Sequence, residues 1–335
     1  MSAKKNSTID FLIITDDNSI IGSDNIKVKY MEFEELKKSI QSKFDFDICL
    51  ERPYKLCDYR PAYGLIFADE LKGYDFWGHC DLDLVFGDIR HFVTDQVLEE
   101  NDKVYEHGHF CLYRNIPQIT GTVKNDGPYP EFNYTEVYST NDSFGFDEFH
   151  GIVCKCHRLN MKMYLNTKDF FDCKTDDLYF TDAFHVGRSV RTIIRYENGK
   201  LYAIEVAEEA VKIKDFSNVE KREIMYFHFQ KRDIKGMEEF EKLNENFWII
   251  PNKFIWEECS YQDLYKEMNQ TIYRNLYRIR KIQKKGKEHI ERFVRRKKSE
   301  KKYSICEYVK ERKNYQKRFH ENGVYLESIY KMDSL

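Results

Sequence analysis

Two aspartates in the first third of the chain have the residue type and spacing of a metal site. Asp81 and Asp83 lie two positions apart, directly after an aromatic stretch that includes Phe76 and Trp77. We expect a buried strand from Phe76 to Val85, and on a strand residues i and i+2 point to the same face. Two adjacent carboxylates repel each other unless a cation lies between them, and Mg2+ and Mn2+ prefer oxygen ligands. The pair therefore predicts a divalent-metal site, with a solvated turn as the alternative.

The composition indicates a folded protein with reduced thiols. The 335 residues suffice for one large domain or two smaller ones. Tyr (24) and Phe (25) are abundant while Gly (15) and Pro (6) are scarce, which argues against a low-complexity chain. The nine cysteines are scattered and odd in number, and no secretory segment opens the chain, so we expect a cytoplasmic protein. No stretch approaches the roughly 18 apolar residues of a membrane span.

Positive charge is concentrated near the carboxyl end. Residues 271–318 contain 19 Lys and Arg against 5 Glu and no Asp, and since the whole chain carries −3, the remainder carries −17. An amphipathic helix is predicted there by apolar residues at helical spacing: Ile272, Leu276, Ile279, Ile290, Phe293 and Val294. Such a helix is typical of attachment to an anionic membrane. Packing on the protein's own acidic body is the alternative.

The remaining hydrophobic pattern alternates between strands and helices. Strands are predicted at 9–15, 26–30, 76–85, 104–113, 186–196, 201–206, 224–230 and 248–256, and helices at 31–43, 55–71 and from 261 onward. This order implies an α/β fold with a largely parallel sheet, whose ligands bind beyond the carboxyl ends of the strands. Asp16 and Asp17 follow the first strand and are expected at the same edge as Asp81. We expect one domain at 1–260 and a basic helical appendix at 261–335.

Several of these residues resemble motifs of the GT-A fold of nucleotide-sugar glycosyltransferases. Asp58 and Arg60 precede the Asp-X-Asp strand on a predicted helix, as in mannosyltransferases of the DXD type. The sequence YFHFQKR at 226–232 is similar to a terminal motif in which a His completes the metal site and a Lys three positions later meets the diphosphate. The resemblance covers roughly residues 8–260 and is closest to bacterial transferases of cell-surface polysaccharides such as capsule.

The resemblance implies a GT-A-like, Rossmann-like mixed sheet flanked by helices, and a set of site residues. The metal, Mn2+ or Mg2+, is expected on Asp81, Asp83 and His228. Donor-binding residues are expected to be Asp16, Asp17, Lys55, Asp58, Arg60, Asp81 and Lys231. The sequence DSFGFDEFHG at 142–151 occupies the place of an acidic catalytic motif, so Asp147 and Glu148 are expected to be catalytic. Members usually begin with one more strand, which this chain is expected to lack.

Other interpretations of these residues remain open. Asp58 and Arg60 also fit a surface ion pair, and His228 fits a half-buried histidine with its hydrogen bonds satisfied. His107-X-His109-X-Cys111 and the group at 154–157, Cys-X-Cys-His, contain zinc-capable side chains, but neither has the paired cysteine spacing of structural zinc sites. Core cysteines and an acceptor contact at His109 are the favoured interpretation. Asp88 is expected to cap a helix.

The leading hypothesis is a metal-dependent glycosyltransferase at the inner face of the cell membrane. It would move a sugar from a nucleoside diphosphate donor, with UDP-sugar as first choice, to a polysaccharide or lipid-linked acceptor. One rival is a nucleic-acid-binding or nuclease-like protein that uses Asp81 and Asp83 as metal ligands and the basic tail for phosphates. The acidic body disfavours that rival. A second rival hypothesis is a catalytically inactive, transferase-like scaffold. For the leading hypothesis, both retention and inversion of the anomeric configuration remain open.

Overall fold

The computed structural model describes residues 2–127, 131–174, 177–184, 190–230, 232, 234–236 and 246–269. The strands are β1 (Phe11–Thr15), β2 (Ile26–Tyr30), β3 (Phe76–Cys80), β4 (Leu84–Phe86), β5 (Lys103–Val104), β6 (Phe110–Arg114), β7 (Met163–Tyr164), β8 (Phe171–Asp172), β9 (Val190–Glu197), β10 (Lys200–Ala207), β11 (Glu220–Ile224), β12 (Tyr226–His228), β13 (Asn246–Ile250) and β14 (Lys253–Ile255). The α-helices are α1 (Phe33–Gln41), α2 (Leu56–Tyr59), α3 (Tyr63–Ile66), α4 (Ile89–Phe92), α5 (Asp95–Glu100), α6 (Pro117–Thr120), α7 (Tyr134–Tyr138), α8 (Cys154–Arg158), α9 (Glu208–Ile213) and α10 (Tyr261–Met268).

The protein is a mixed α/β structure built from several small sheets. Their strand orders are β1-β2, β3-β6-β5-β7, β4-β12-β8 and β11-β10-β9-β13-β14. The prediction of a largely parallel sheet was wrong: in the described chain only the β1–β2, β5–β7 and β8–β12 pairings are parallel, and all other strand pairings are antiparallel. Parallel neighbours need long crossover connections, usually through a helix. Helices α2 to α8 have at most six residues each, which is too short for such crossovers.

Near the amino terminus the predicted elements agree closely with the structure, and the first clear difference occurs at Pro61. The strand predicted at 26–30 is found with those limits, and the helix predicted at 31–43 is α1, which buries Leu36 and Ile40. The helix predicted at 55–71 is instead broken into α2, a 3-10 turn at Arg60–Ala62 and α3. The break falls at Pro61, which has no N–H to donate to the carbonyl four residues earlier.

The strand predicted at 76–85 is two strands that belong to different sheets. β3 pairs with β6, β4 pairs with β12, and residues 81–83 form the turn between them. Leu82, at the tip of this turn, is 95% exposed. Asp81 and Asp83 are therefore not neighbours on one strand face, as expected, but flank a turn that projects from the junction of two sheets. The strands predicted at 104–113 and 224–230 are likewise each split in two, and 248–256 is the β13–β14 hairpin.

The five-stranded sheet is covered on both faces. Ile194 and Ile249 pack into one hydrophobic cluster, while their neighbours Ile193 and Ile250 pack into another, as the alternation of side chains along a strand requires. Leu264, Tyr265 and Met268 of α10 belong to the second cluster. The first helix after residue 260 is thus part of the folded body. The basic stretch at 271–318 lies outside the described residues.

Other local predictions can be compared directly with the structure. Asp88 accepts a hydrogen bond from the His91 amide at 3.2 Å and so caps α4, as predicted, a contact that typically contributes about 1 kcal/mol. The eight cysteines in the described chain are all free thiols. Within the described residues, no helix combines the length and the apolar character needed to cross a membrane.

Candidate metal centre

Strand pairing in the three-stranded sheet brings three polar side chains together. β12 lies between β4 and β8, and its register pairs His228 with Leu84 on one side and with Asp172 on the other. Paired residues on neighbouring strands present their side chains to the same face, so His228 and Asp172 are adjacent. Asp83 immediately precedes Leu84, and its carbonyl accepts a hydrogen bond from the Phe229 amide at 3.2 Å. The carboxylate of Asp83, which lies just outside β4, is found beside His228, although the two residues are far apart in the chain.

His228 faces both aspartates of the turn. Its Nε2 lies 3.4 Å from Asp83 Oδ1 and 3.6 Å from Asp81 Oδ2. Ligand atoms of these three residues all lie within 4.8 Å of one another. Asp81 is fixed from the other direction, because its amide donates to the His109 carbonyl at 2.9 Å and so extends the β3–β6 ladder by one bond. Two carboxylates and one imidazole form an oxygen-rich donor set that suits Mn2+ or Mg2+.

A second carboxylate orients the histidine. His228 Nδ1 lies 2.8 Å from Asp172 Oδ1, which also accepts a hydrogen bond from Gln230 Nε2 at 2.7 Å. Metal-ligating histidines commonly bind a carboxylate through the other ring nitrogen, and this contact fixes the orientation of the ring. Burial opposes protonation of His228, but the hydrogen bonds to Asp172 and Asp83 outweigh it and raise its pKa to about 9. A cation at Nε2 would replace that proton.

Arg60 links the turn to the acidic motif. Its guanidinium contacts Asp81 Oδ1, Asp147 Oδ2 at 2.9 Å and the Gly108 carbonyl at 3.0 Å. The helix break at Pro61 places Arg60 in a 3-10 turn at the site. The pair of Asp58 and Arg60 is therefore not a surface ion pair. Arg60 instead binds both Asp81 and Asp147 through its guanidinium group.

The two predicted catalytic acids differ in environment. Asp147 is 3% exposed, and burial raises its pKa to about 6 against the opposing effect of Arg60. Glu148 is exposed to solvent, yet the surrounding protein and the Asp147 carboxylate raise its pKa to about 7. Gly108 permits this packing, since a Cβ at that position would lie 2.5 Å from Asp147 Oδ2. Of the two acids, Glu148 is the one that solvent reaches.

Two residues predicted to bind the donor are instead buried and hold a loop of the protein in place. Lys55 is fully buried, and its Nζ contacts Asp58 Oδ2 at 2.9 Å and the carbonyls of Val137 and Asp142 at 2.8 and 2.5 Å. Asp58 is 1% exposed and accepts the amides at 144 and 146. Direct donor contacts for Lys55 and Asp58 were the wrong expectation, because every polar atom already has a partner inside the protein. Together they anchor the loop that carries Asp147.

Asp16 and Asp17, which were also predicted to bind the donor, lie outside this cluster. Asp16 and Asp17 are exposed at the end of β1, in a separate two-stranded sheet, and Asp17 accepts the Ser19 amide at 2.9 Å. They do not share a sheet edge with Asp81, as had been expected, because the sheet is divided. Lys231 lies outside the described residues.

His109 is not positioned to contact an acceptor. Its side chain is 7% exposed, lies behind His228, and has Nδ1 2.8 Å from the Tyr226 hydroxyl. His107, His109 and Cys111 do not share one strand face, although the predicted strand at 104–113 would have placed them so, because β6 begins only at Phe110. The His107 and His109 rings stack at 5.4 Å, while the Cys111 thiol contacts the His107 carbonyl at 3.1 Å.

Asp172 and Gln230 are the site residues that sequence reasoning missed. Asp172 follows two phenylalanines in a segment with no motif, and nothing local distinguishes it from other acids of the chain. Gln230 lies within the YFHFQKR sequence, two positions after His228, where a strand would place both side chains on one face. That spacing was an available signal for Gln230. Only the parallel register of β8 with β12 identifies Asp172.

The comparisons with known proteins place the chain in a family without assigning it an activity. Residues 1–258 match the model of DUF6625, described as a family of unknown function, and the chain belongs to this family. Neither the curated proteins nor the solved structures include a significant match.

Proposed function

We propose that this protein is a GT-A-type glycosyltransferase that moves a sugar from a nucleoside diphosphate sugar to a saccharide or lipid-linked acceptor. The observation that carries the proposal is the convergence of Asp81, Asp83 and His228, which combine the two separate motifs that resemble this class. A mixed α/β fold with the Asp-X-Asp turn at a sheet junction is compatible with it. The acceptor would belong to a cell-surface polysaccharide such as capsule, and a UDP-sugar is the first donor to test.

The donor set fits a divalent ion, with Mn2+ preferred to Mg2+. Two carboxylate oxygens suit either ion, while the imidazole nitrogen favours the softer Mn2+. Asp172 on the far ring nitrogen supplies the usual support of a metal-ligating histidine. When bound, the ion would stabilise the negative charge that develops on the diphosphate as the anomeric C–O bond breaks.

The protein's own groups would complete the site. Arg60 holds Asp81 in place, and its guanidinium, which is shared between Asp81 and Asp147, would contribute positive charge next to a bound diphosphate. We assign Glu148 the role of general base toward the acceptor hydroxyl. Its pKa of about 7 and its exposure to solvent suit proton transfer near neutral pH. Lys231 would add a second cation, as the resemblance implies.

A donor panel tests the proposal. Full-length protein is incubated with several nucleotide sugars and Mn2+, and release of the nucleoside diphosphate is measured with and without chelator. A transferase releases the diphosphate from one donor in a metal-dependent manner, and Glu148→Gln slows this release only when an acceptor is present. Metal-dependent cleavage of single- or double-stranded nucleic acid with no donor turnover would support the nuclease alternative. Metal binding without turnover of any substrate would support an inactive scaffold.

We also propose that the basic stretch at 271–318 binds the anionic inner face of the cell membrane. Its 19 basic residues contribute about 1 kcal/mol each when they lie near such a surface, so partial engagement suffices. A membrane location suits an acceptor carried on a lipid. Co-sedimentation with anionic and neutral liposomes compares the full chain with a version that ends at Met268. The proposal fails if both versions bind anionic liposomes equally.

A further inference from the structure

A second group of metal-ligating side chains lies directly behind the Asp81–Asp83 turn. Ligand atoms of His109, Asp172 and His228 lie within 4.8 Å of one another. All three residues are buried, with exposed fractions of 7%, 5% and 6%. The two imidazole rings are 4.8 Å apart between centroids and inclined by 39°. Two imidazoles and one carboxylate therefore converge in the interior.

His109 is held in place by one nitrogen while the other is unused. Nδ1 lies 2.8 Å from the hydroxyl of the fully buried Tyr226, which fixes the ring. Nε2 is buried and has no hydrogen-bond partner within the described part of the chain. Leaving a buried polar atom without a partner costs about 1–3 kcal/mol, so such an atom calls for a ligand. A cation shared with Asp172 and His228 would satisfy it.

We infer that His109, Asp172 and His228 form a second cation position that takes a zinc-class transition metal. Two imidazole nitrogens with one carboxylate oxygen are a donor set of zinc sites, and imidazole ligands favour Zn2+ over Mg2+. The position beside Asp81 and Asp83 has the opposite balance, with two oxygens and one nitrogen. The two positions thus differ in their share of imidazole ligands, and the second favours Zn2+ over Mn2+ and Mg2+ more strongly than the first. This inference does not depend on whether the protein transfers sugars.

The two positions are coupled because they share His228. Its Nδ1 faces Asp172 and its Nε2 faces the two aspartates of the turn. An ion at the second position would bind either the His228 ring or the Asp172 carboxylate that orients this ring. Zn2+ would therefore weaken Mn2+ binding, and by linkage Mn2+ would weaken Zn2+ binding by the same factor. If the proposed function holds, zinc inhibits the enzyme at this position.

The chain offers a matched pair of variants for the test. His109→Asn keeps a polar atom at the place of Nδ1, so Tyr226 retains a partner, but removes Nε2. His107→Asn removes the imidazole stacked on His109 and leaves the three ligand atoms in place. Zn2+ affinity of the full-length protein is measured by competition with a chromophoric chelator. Mn2+ affinity is measured by electron paramagnetic resonance of the free ion, and the visible spectrum of the Co2+-loaded protein reports nitrogen ligation.

The expected results separate this inference from the proposed function. His109→Asn weakens Zn2+ binding about tenfold or more and leaves Mn2+ binding unchanged, while His107→Asn changes neither. Asp81→Asn weakens Mn2+ binding and leaves Zn2+ binding in place. Zn2+ binding that survives His109→Asn, or that is lost with Asp81→Asn instead, overturns the inference and leaves the first position standing. Zn2+ binding without any Mn2+ binding supports the second position and removes the basis of the proposed function.

Discussion

Two groups of charged residues in this protein differ in how deeply they are buried and how closely their members are paired. In the first, Lys55 Nζ contacts three oxygens and Asp58 accepts two backbone amides as well as the lysine. In the second, His228 Nε2 is 3.4 to 3.6 Å from Asp83 and Asp81. These distances exceed the roughly 2.7–2.9 Å of a good charge-assisted hydrogen bond.

The difference separates a structural charge pair from a site. Lys55 and Asp58 have no capacity left for a ligand, and their contacts join two parts of the chain that are distant in sequence. The second group has converging acceptors, a histidine oriented from behind by Asp172, and the unused Nε2 of His109 close by. Charge is common to both groups, but Lys55 and Asp58 are almost fully buried while Asp81 and Asp83 are only partly buried. Short contacts fill the first group, and longer distances separate His228 Nε2 from the two aspartates of the second.

Breaking the satisfied pair should produce the largest effect. Lys55→Met leaves Asp58 as an uncompensated buried charge, so we expect the free energy of unfolding in urea to fall by about 3–5 kcal/mol. Lys27→Met is the control, because Lys27 forms an exposed ion pair with Asp10 at 2.7 Å, and exposed ion pairs contribute little to stability. Equal losses in the two variants would mean that Lys55 is not a structural support.

Asp83→Asn should have the opposite profile in the group around His228. We expect metal-dependent donor turnover to fall about 100-fold or more, because one of three ligands is weakened, while the free energy of unfolding changes by about 1 kcal/mol or less. Turnover is measured as nucleoside diphosphate release with Mn2+. Asp88→Asn serves as the control, since it preserves a helix cap and touches no ligand. Near-normal Mn2+-dependent turnover in Asp83→Asn would refute the metal site.

Asp172→Asn should give a smaller effect. The asparagine still contacts the ring but withdraws the charge that supports His228, so Mn2+ affinity should fall about tenfold. Free Mn2+ is followed by electron paramagnetic resonance. Asp169→Asn provides a matched control on the same segment, because Asp169 contacts the hydroxyls of Tyr105 and Tyr164 instead. An unchanged Mn2+ affinity in Asp172→Asn would show that His228 needs no such support.

The smallest effect is expected at His157, whose pKa is shifted in the direction opposite to that of His228. Burial lowers the pKa of His157 to about 4, whereas the pKa of His228 is raised. A lowered pKa in the folded state means that the unfolded chain takes up the proton first, so this contribution to stability is present above about pH 6.5 and is lost as the pH falls toward 4. His157→Leu should therefore lose less stability than the wild type between pH 7 and 5, by less than about 1 kcal/mol. A His157 signal that titrates near 6.5 in NMR spectra would contradict this.

The sequence by itself determined the elements whose signals are local. The strand at 26–30 and helix α1 follow from hydrophobic periodicity, and the cap at Asp88 follows from residue type. The spacing of Asp81 and Asp83, together with the histidine of YFHFQKR, selected the three residues that the fold brings together. The strand, the helix and the cap were predicted correctly because each depends on a few consecutive residues, where backbone geometry and side-chain chemistry leave little choice. The grouping of Asp81, Asp83 and His228 came from the resemblance to glycosyltransferase motifs.

Tertiary structure decided what depends on pairing between distant segments. The division into small, mostly antiparallel sheets, the turn between β3 and β4, and the burial of Lys55 have no local signal in the chain. Asp172 becomes a support of His228 only through the parallel register of β8 with β12. Such registers are set by how whole hydrophobic faces pack, and a shift of one residue would turn Asp172 away from the histidine. The residue types that could bind a metal were therefore readable in advance, while their number and arrangement were settled by packing.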